Sequence, residues 1–442
     1  MPNNYPPRRG TPVHSSSTRR APLRESSFDR SSQYISRSPR TNRRRRKSGP
    51  PPILYLALVV LVVLVVAIVL LVKACSSKPE GKDTSSNVSN NSSTVSAVDG
   101  SQDPNTSGTS DGQAASPSPA PSEEPTPAPQ EEPEGNPETV GALMVVDGVA
   151  YEYYNFNTDL ANSYITAVAE AGEKLAGTST VYDMVIPTSI DIMLPESYLK
   201  AHAEEINSSD QRKAIEEYIY PSIEANNSSV KTVSIFDTLK AHANEYLYFR
   251  TDHHWTQLGA YYAYTEFCKV RGFEAVPLSD FEKKEYTGYL GSFYSSDSEV
   301  AAKLGNNPDT VEAYIPKANV TFNVTQKDGQ VLEDWPLIAD GDTYSDVNKY
   351  LIFAAGDQPY EEIINNDMED GPSCIVVKES FGNCFVPFLA NHYKTVYVID
   401  YRDYTGTVSA LAKEKGVDDV ILLNNISMTR NEGLIQDFSS IF

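Results

Sequence analysis

The chain reads as an α/β protein: a parallel sheet with flanking helices, preceded by a single transmembrane helix and disordered segments. Three observations predict it. Toward the C-terminus short apolar runs alternate with amphipathic stretches, the trace that parallel strands and crossover helices leave in a sequence. Residues 53–72 form an unbroken apolar run. The segments on either side, 1–52 and 73–140, hold too few apolar residues to offset the entropy of ordering.

Residues 1–52 are rich in Arg, Ser and Pro and carry the run Arg43-Arg44-Arg45-Arg46-Lys47, which predicts a disordered basic tail. From Ile53 to Val72 every residue is apolar or Tyr55. About twenty residues at about 1.5 Å each match a hydrocarbon layer of roughly 30 Å. A cleavable signal peptide has an apolar region of about 7–15 residues near the terminus, so the stretch reads as an uncleaved anchor in the lipid bilayer. The basic run just before it puts the N-terminus in the cytoplasm and everything after Val72 outside. Residues 73–140 pass from Ser, Thr and Asn to Pro and Glu, a flexible and then stiff linker. At about 3.1 Å per residue in polyproline II geometry it reaches tens of ångströms, which suits a thick cell wall.

The formal net charge is −22 although the tail is basic, so the external part is strongly acidic and nucleic acid is excluded as a partner. Four cysteines, Cys75, Cys268, Cys374 and Cys384, are too few and too dispersed for a disulfide-built scaffold; a Cys374–Cys384 bridge stays open.

The folded domain, 141–442, begins with strand-like patterning over Ala142–Val146 and a helix over about 159–175. A strand follows at Thr178–Pro187, helical spacing at Ser197–Tyr220, and a strand at Val230–Phe236. Thr256 reads as the cap of a helix from Gln257 that Gly272 ends. The stretch 278–349, with Asn319–Thr325, reads as a β-rich insertion or a substrate-facing flap. Strands are then expected at Tyr350–Ala354, Cys374–Val377, Thr395–Ile399 and Asp419–Leu423, with helices at about 384–392 and 408–415. In such sheets the ligand crevice lies beyond the carboxyl ends of the strands, and both Ser380 and Arg402 follow strand ends.

The chemistry gathers at Thr251-Asp252-His253-His254-Trp255-Thr256. Asp252 and His254 at i and i+2 share a side of an extended segment and can act as orienter and base, with His253 pointing elsewhere. The plainer reading makes this a helix-capping turn around a buried Trp255. Ser380 supplies a hydroxyl nucleophile, which needs an adjacent imidazole, although a serine at a strand-to-helix turn is also an ordinary cap. Backbone N–H groups at Ser380, Phe381 and Gly382, with the Asn383 side chain, are the candidate oxyanion donors. Asp252, His253 and His254 could also suggest zinc. Adjacent histidines in a strand face opposite sides, however, and no HExxH accompanies them, so no metal or other cofactor is expected. A Ser380 hydroxyl more than about 6 Å from both ring nitrogens of His254 would defeat the enzyme reading.

These residues resemble the DHHW family of Gram-positive bacterial proteins, named for the tetrapeptide found here at Asp252–Trp255. The likeness is carried by Tyr248–Thr256, Gly259–Tyr264, Ser380–Leu389 and Asp400–Arg402. It spans nearly all of 141–442. That family is similar to the SGNH-hydrolase-like alginate O-acetyltransferases, which implies an SGNH-like fold with Asp252, His254 and Ser380 as the triad. Glu379 stands where an Asp is expected, and His253 where the acetyltransferases have Thr. The resemblance implies an envelope enzyme at the plasma membrane of a Gram-positive-type bacterium that adds or removes O-acetyl groups on a cell-wall glycan or exported polysaccharide. A transferase would need a membrane acyl-donor partner. The alternative is a non-catalytic glycan-binding or scaffold protein with the same fold.

Overall fold

The structure is a computed structural model, and the residues it describes are 130–442. The expected tail, the expected anchor at 53–72 and residues 73–129 of the expected linker 73–140 lie outside them; the linker's last part, 130–140, is described and ends in a strand, Glu138–Val140. Among the described residues no helix is long and apolar enough to cross a membrane.

Among the described residues thirteen strands are numbered in chain order. β1 (Glu138–Val140), β2 (Leu143–Val146) and β3 (Val149–Glu152) make a small antiparallel sheet. The main sheet takes β4 (Thr180–Ile186), β5 (Val230–Thr232), β8 (Val320–Thr325), β9 (Val331–Leu332), β10 (Tyr360–Asn365), β11 (Ser373–Lys378), β12 (Thr395–Asp400) and β13 (Asp419–Asn425) in the order β5-β4-β13-β11-β12-β10-β8-β9. Its first five strands run parallel. β10 opposes both β12 and β8, and β9 opposes β8. The sheet is therefore mixed, not parallel throughout. The link 366–372 between β10 and β11 is too short for a crossover helix, so the two strands must run in opposite directions. β6 (Glu282–Tyr289) and β7 (Asp309–Ile315) pair separately as an antiparallel ribbon.

The four longest described α-helices are α1 (Thr158–Leu175), α2 (Gln257–Arg271), α3 (Val408–Lys415) and α4 (Glu432–Ser440). Asn157 caps α1 by accepting the Leu160 N–H. Thr256 caps α2 by accepting the Gly259 N–H, and Gly272 closes it at φ 87°, where a side chain would be strained. The buried Tyr164 of α1 bonds Asp183 of β4 and packs on Phe438 of α4, so these helices cover one face. Phe267 of α2 meets Tyr182 edge to face on the other. Each such ring contributes about 1.5–3 kcal/mol through burial.

Several expected elements differ. Residues 349–352 form a 3-10 turn instead of a strand, Ala354, Ala355 and Gly356 then take positive φ, and the strand comes at β10. The helix expected at about 384–392 is a 3-10 turn, Ser380–Cys384, and a short helix, Val386–Leu389. The stretch 197–220 breaks into Glu196–Ala201 and a π-helical turn Lys213–Ile219 that runs into Tyr220–Asn226. Asn319–Thr325 belongs to the main sheet as β8. Cys268, Cys374 and Cys384 are buried free thiols.

Candidate active site

The carboxyl ends of β4, β13, β11 and β12 meet at one edge of the sheet. There β11 turns sharply. The Glu379 side chain stabilises the turn, one oxygen accepting the Phe381 N–H at 3.1 Å and the other the Asn425 N–H of β13 at 3.0 Å. Burial pushes its carboxyl above the ordinary range, partly offset by Arg402 and these two donors. The Gly382 N–H returns to the Glu379 carbonyl at 3.0 Å. A Cβ on Gly382 would lie 2.6 Å from the Lys378 Cβ, so only glycine lets the turn close over that side chain. Of the three turn N–H groups considered as oxyanion donors, Phe381 and Gly382 are thus engaged; that of Ser380 has no partner among the described residues.

The Asp252 loop approaches from the start of α2. Its residues 251–254 form bends, not a strand. Buried Asp309 pins the loop by accepting the Arg250 N–H at 2.9 Å, the Thr251 N–H at 2.8 Å and the Thr251 hydroxyl at 2.5 Å. Asp252 then turns back on its own chain. Its Oδ1 accepts the His254 N–H at 2.8 Å and lies 2.5 Å from His254 Nδ1. Its Oδ2 accepts the Tyr289 hydroxyl at 2.9 Å and the Ser292 N–H at 2.6 Å. Gly291 makes that approach feasible, since a Cβ there would sit 2.2 Å from the Asp252 Cβ. Burial pushes the Asp252 carboxyl upward, but the His254 and His253 imidazoles and these hydrogen bonds outweigh it and hold the group well below the usual carboxylate range.

His254 Nε2 lies 2.7 Å from Ser380 Oγ, far inside the distance that would have defeated an enzyme reading. The loop and the turn are also joined by Trp255, fully buried, whose indole N–H donates to the Phe381 carbonyl at 2.8 Å. Tyr350 stacks on the His254 ring at 4.0 Å and 12°, and its hydroxyl donates to the Ser380 carbonyl at 2.9 Å. A hydroxyl, an imidazole and an ionised carboxylate in one line can move a proton off the hydroxyl while the carboxylate fixes the ring tautomer.

Other residues singled out from the sequence have different surroundings. Asn383 is fully buried: its carbonyl oxygen accepts from Lys378 Nζ at 2.5 Å and its amide donates to Asp357 at 3.0 Å. Arg402 grips Asp400 through Nε at 2.8 Å and Nη2 at 2.5 Å, and Asp357 through Nη2 at 3.0 Å. His253 packs tilted on His254 at 3.8 Å, with Nδ1 2.5 Å from Ser292 Oγ. Ligand-type atoms of Asp252, His253 and His254 lie within 4.8 Å of one another, and in this arrangement they serve hydrogen bonds. Tyr289, Ser292 and Tyr350 escaped the sequence reading; they lie tens of residues from either motif, with no local pattern to betray them.

The sequence matches the DHHW protein family over residues 124–399. The chain belongs to that family. Its structure is similar to that of a DHHW family protein from Eubacterium siraeum, with a TM-score of 0.60 and 27% identity over 69% of this chain and 97% of that one. It is also similar to Bacillus cereus PatB1 bearing a sulfonyl adduct, at a TM-score of 0.52 and 17% identity over 66% of this chain and 98% of that one. The O-acetyltransferase domain of Pseudomonas putida AlgJ aligns more loosely, at a TM-score of 0.36 and 10% identity over 66% of this chain and 96% of that one. No curated protein matches.

In this DHHW protein each letter of the motif has its own contact. Asp252 holds His254, His253 leans on Ser292, His254 reaches Ser380, and Trp255 ties the loop to the Ser380 turn.

Proposed function

We propose that this DHHW protein is a serine-dependent O-acyl enzyme of the cell envelope that adds or removes O-acetyl groups on a cell-wall glycan or exported polysaccharide. The carrying observation is His254 bridging Ser380 Oγ at 2.7 Å and Asp252 Oδ1 at 2.5 Å. Ser380 Oγ attacks the acyl carbonyl while its proton passes to His254 Nε2, and the carbonyl electron pair moves onto oxygen. Collapse expels the donor alcohol, which takes that proton, and leaves the acyl group on Ser380. An incoming sugar hydroxyl or water then gives its proton to His254 and takes the acyl group, and His254 returns the proton to the departing Ser380 Oγ. A sugar makes the enzyme a transferase and water makes it an esterase. Asp252 holds the imidazole throughout. Residues 53–72 anchor the protein in the plasma membrane with this domain outside, and a transferase cycle draws its acyl group from a membrane partner.

The test is hydrolysis of a chromogenic acetyl ester by the full chain in detergent, beside Ser380→Ala and His254→Ala. Turnover lost in both variants supports the reading. Because a sulfonyl adduct is recorded on PatB1, a sulfonyl fluoride is the matching probe, and it should mark wild type on Ser380 alone. A wild type that neither turns over ester, with or without glycan acceptors, nor takes the label is a binding protein.

A further inference from the structure

His253 has no part in the scheme above, yet it is the most accessible of the three polar motif residues, its side chain 25% exposed against 8% for His254 and 2% for Asp252. The ring is firmly held. It packs on His254 at 3.8 Å, near Phe381 at 5.5 Å and Phe293 at 6.1 Å. Nδ1 lies 2.5 Å from Ser292 Oγ, and that oxygen also accepts the His253 main-chain N–H at 3.4 Å. With that oxygen accepting from the main chain, its proton is available to Nδ1, and in the tautomer where the serine donates there Nε2 is the protonated nitrogen of a neutral ring. Burial and the neighbouring His254 hold the His253 pKa below the ordinary imidazole value against the opposing pull of Asp252, Glu152 and Glu379, which keeps the ring neutral. Nε2 makes no hydrogen bond among the described residues. Ser292 is anchored in turn, its N–H on Asp252 Oδ2 at 2.6 Å.

Around Ser380, donors for a developing oxyanion are scarce. The Phe381 and Gly382 N–H groups close the turn, Asn383 is shared between Lys378 and Asp357, and Arg402 is held by two aspartates. The Ser380 N–H remains, and an oxyanion is ordinarily held by more than one preorganised donor. Resting on the serine chemistry proposed above, we propose that His253 supplies the second donor: Nε2–H bonds the acyl carbonyl oxygen as Ser380 attacks, and Ser292 fixes the ring for that task. His253 is then a substrate-contacting residue and Ser292 a positioning one.

The experiment compares an acetyl ester with its thionoester on wild type, His253→Ala, His253→Gln and Ser380→Ala, all as full chain in detergent. An oxyanion donor favours developing negative charge on oxygen over sulfur. Removing it should lower kcat on the ester by roughly 10²–10³ with KM changed by less than about threefold. The loss on the thionoester should be at least about tenfold smaller, with partial recovery in His253→Gln, whose amide N–H can reach the same place. Unchanged ester turnover in His253→Ala overturns the proposal. So does an equal loss on both substrates, the mark of a residue that merely supports His254. Failure of the serine reading looks different: wild type and Ser380→Ala would then be indistinguishable on both substrates, and the inference falls with it.

Discussion

On one side of the Ser380 turn, Asp252 and His254 form a line that ends on a half-buried hydroxyl. On the other side, Lys378, Asn383, Asp357, Arg402 and Asp400 close into a ring of partners. Lys378 is fully buried, its ammonium 3.3 Å from the Gly356 carbonyl and 3.9 Å from Asp400. Burial pushes the Asp357 carboxyl up, but Lys378 and Arg402 overcome it and hold it below the ordinary range. Both sets are acidic and basic, and both meet the turn that follows β11. The difference is the accessible end: the line stops on a half-buried hydroxyl, which also meets Glu379 Oε2 at 3.2 Å, and can act on something outside, whereas the closed ring spends its charges fixing a turn. Arg402 and Asn383, which the sequence nominated as substrate contacts, belong to the ring.

The contrast breaks most visibly at Asp252. Asp252→Asn removes the charge that orients His254, and ester turnover should fall on the order of 10³–10⁴. Measured per folded molecule, a loss of less than about tenfold would mean the carboxylate is structural. In the ring the signature should invert. Lys378→Met leaves buried carboxylates uncompensated and should cost about 3–5 kcal/mol in urea unfolding, while turnover follows the folded fraction. A stable variant with dead chemistry would place Lys378 in the line instead.

Asp183 offers a third case. It is fully buried with one donor, the Tyr164 hydroxyl at 2.6 Å, and its second oxygen has no partner. Burial, opposed only by that bond, raises its pKa from 3.8 to about 7. The folded state therefore binds this proton more tightly than the unfolded chain does. The stabilisation is fully present below pH 3.8 and is lost as pH rises through about 7. Relative to wild type, Asp183→Asn should gain stability by a few kcal/mol between pH about 4 and about 8, because holding a carboxyl protonated costs roughly 1.4 kcal/mol for every pH unit above its unfolded pKa. Parallel urea midpoints for the two proteins across that range would show that Asp183 is not protonated in the fold. The smallest effect is expected at Tyr350→Phe, which keeps the stack on His254 and loses the bond to the Ser380 carbonyl. About 1 kcal/mol of stability should go, with turnover reduced only a few-fold. A larger drop in turnover would assign the hydroxyl to the chemistry.

The same contrast explains what could be read in advance. α1, α3, β4, β11, β12 and β13 fall where apolar spacing put them, because each has an apolar buried run, even in β13, where Asp419, Asn424 and Asn425 are buried beside Val420–Leu423. β10 was missed because Glu361 stands fully buried in it, which breaks the alternation a strand should display. The neighbouring run Tyr350–Ala354 is as apolar as a strand but is used for a turn that sets Tyr350 against His254. At the site, the separation of Asp252 and His254 by two positions was legible, although the contact is made through a bend and not an extended segment. That bend also packs His253 at a tilt against His254 instead of turning it away. Tyr289, Ser292, Asp309 and Tyr350 were invisible because long-range hydrogen bonds leave no periodicity.

One end of the ribbon of β6 and β7 clamps the motif loop, through Tyr289 on Asp252 and its register partner Asp309 on Thr251, and Ser292 just beyond β6 adds a bond to Asp252. In time this makes the acid–base line a late arrival. The loop leaves the ribosome before either clamp exists, and its serine follows 126 residues after His254. β11, β12 and β13 and the Ser380 turn follow the ribbon in the chain, so the pocket is complete only when segments from both sides of the ribbon have met. Competence therefore rests on contacts between segments far apart in the chain, and not on the parallel strands alone.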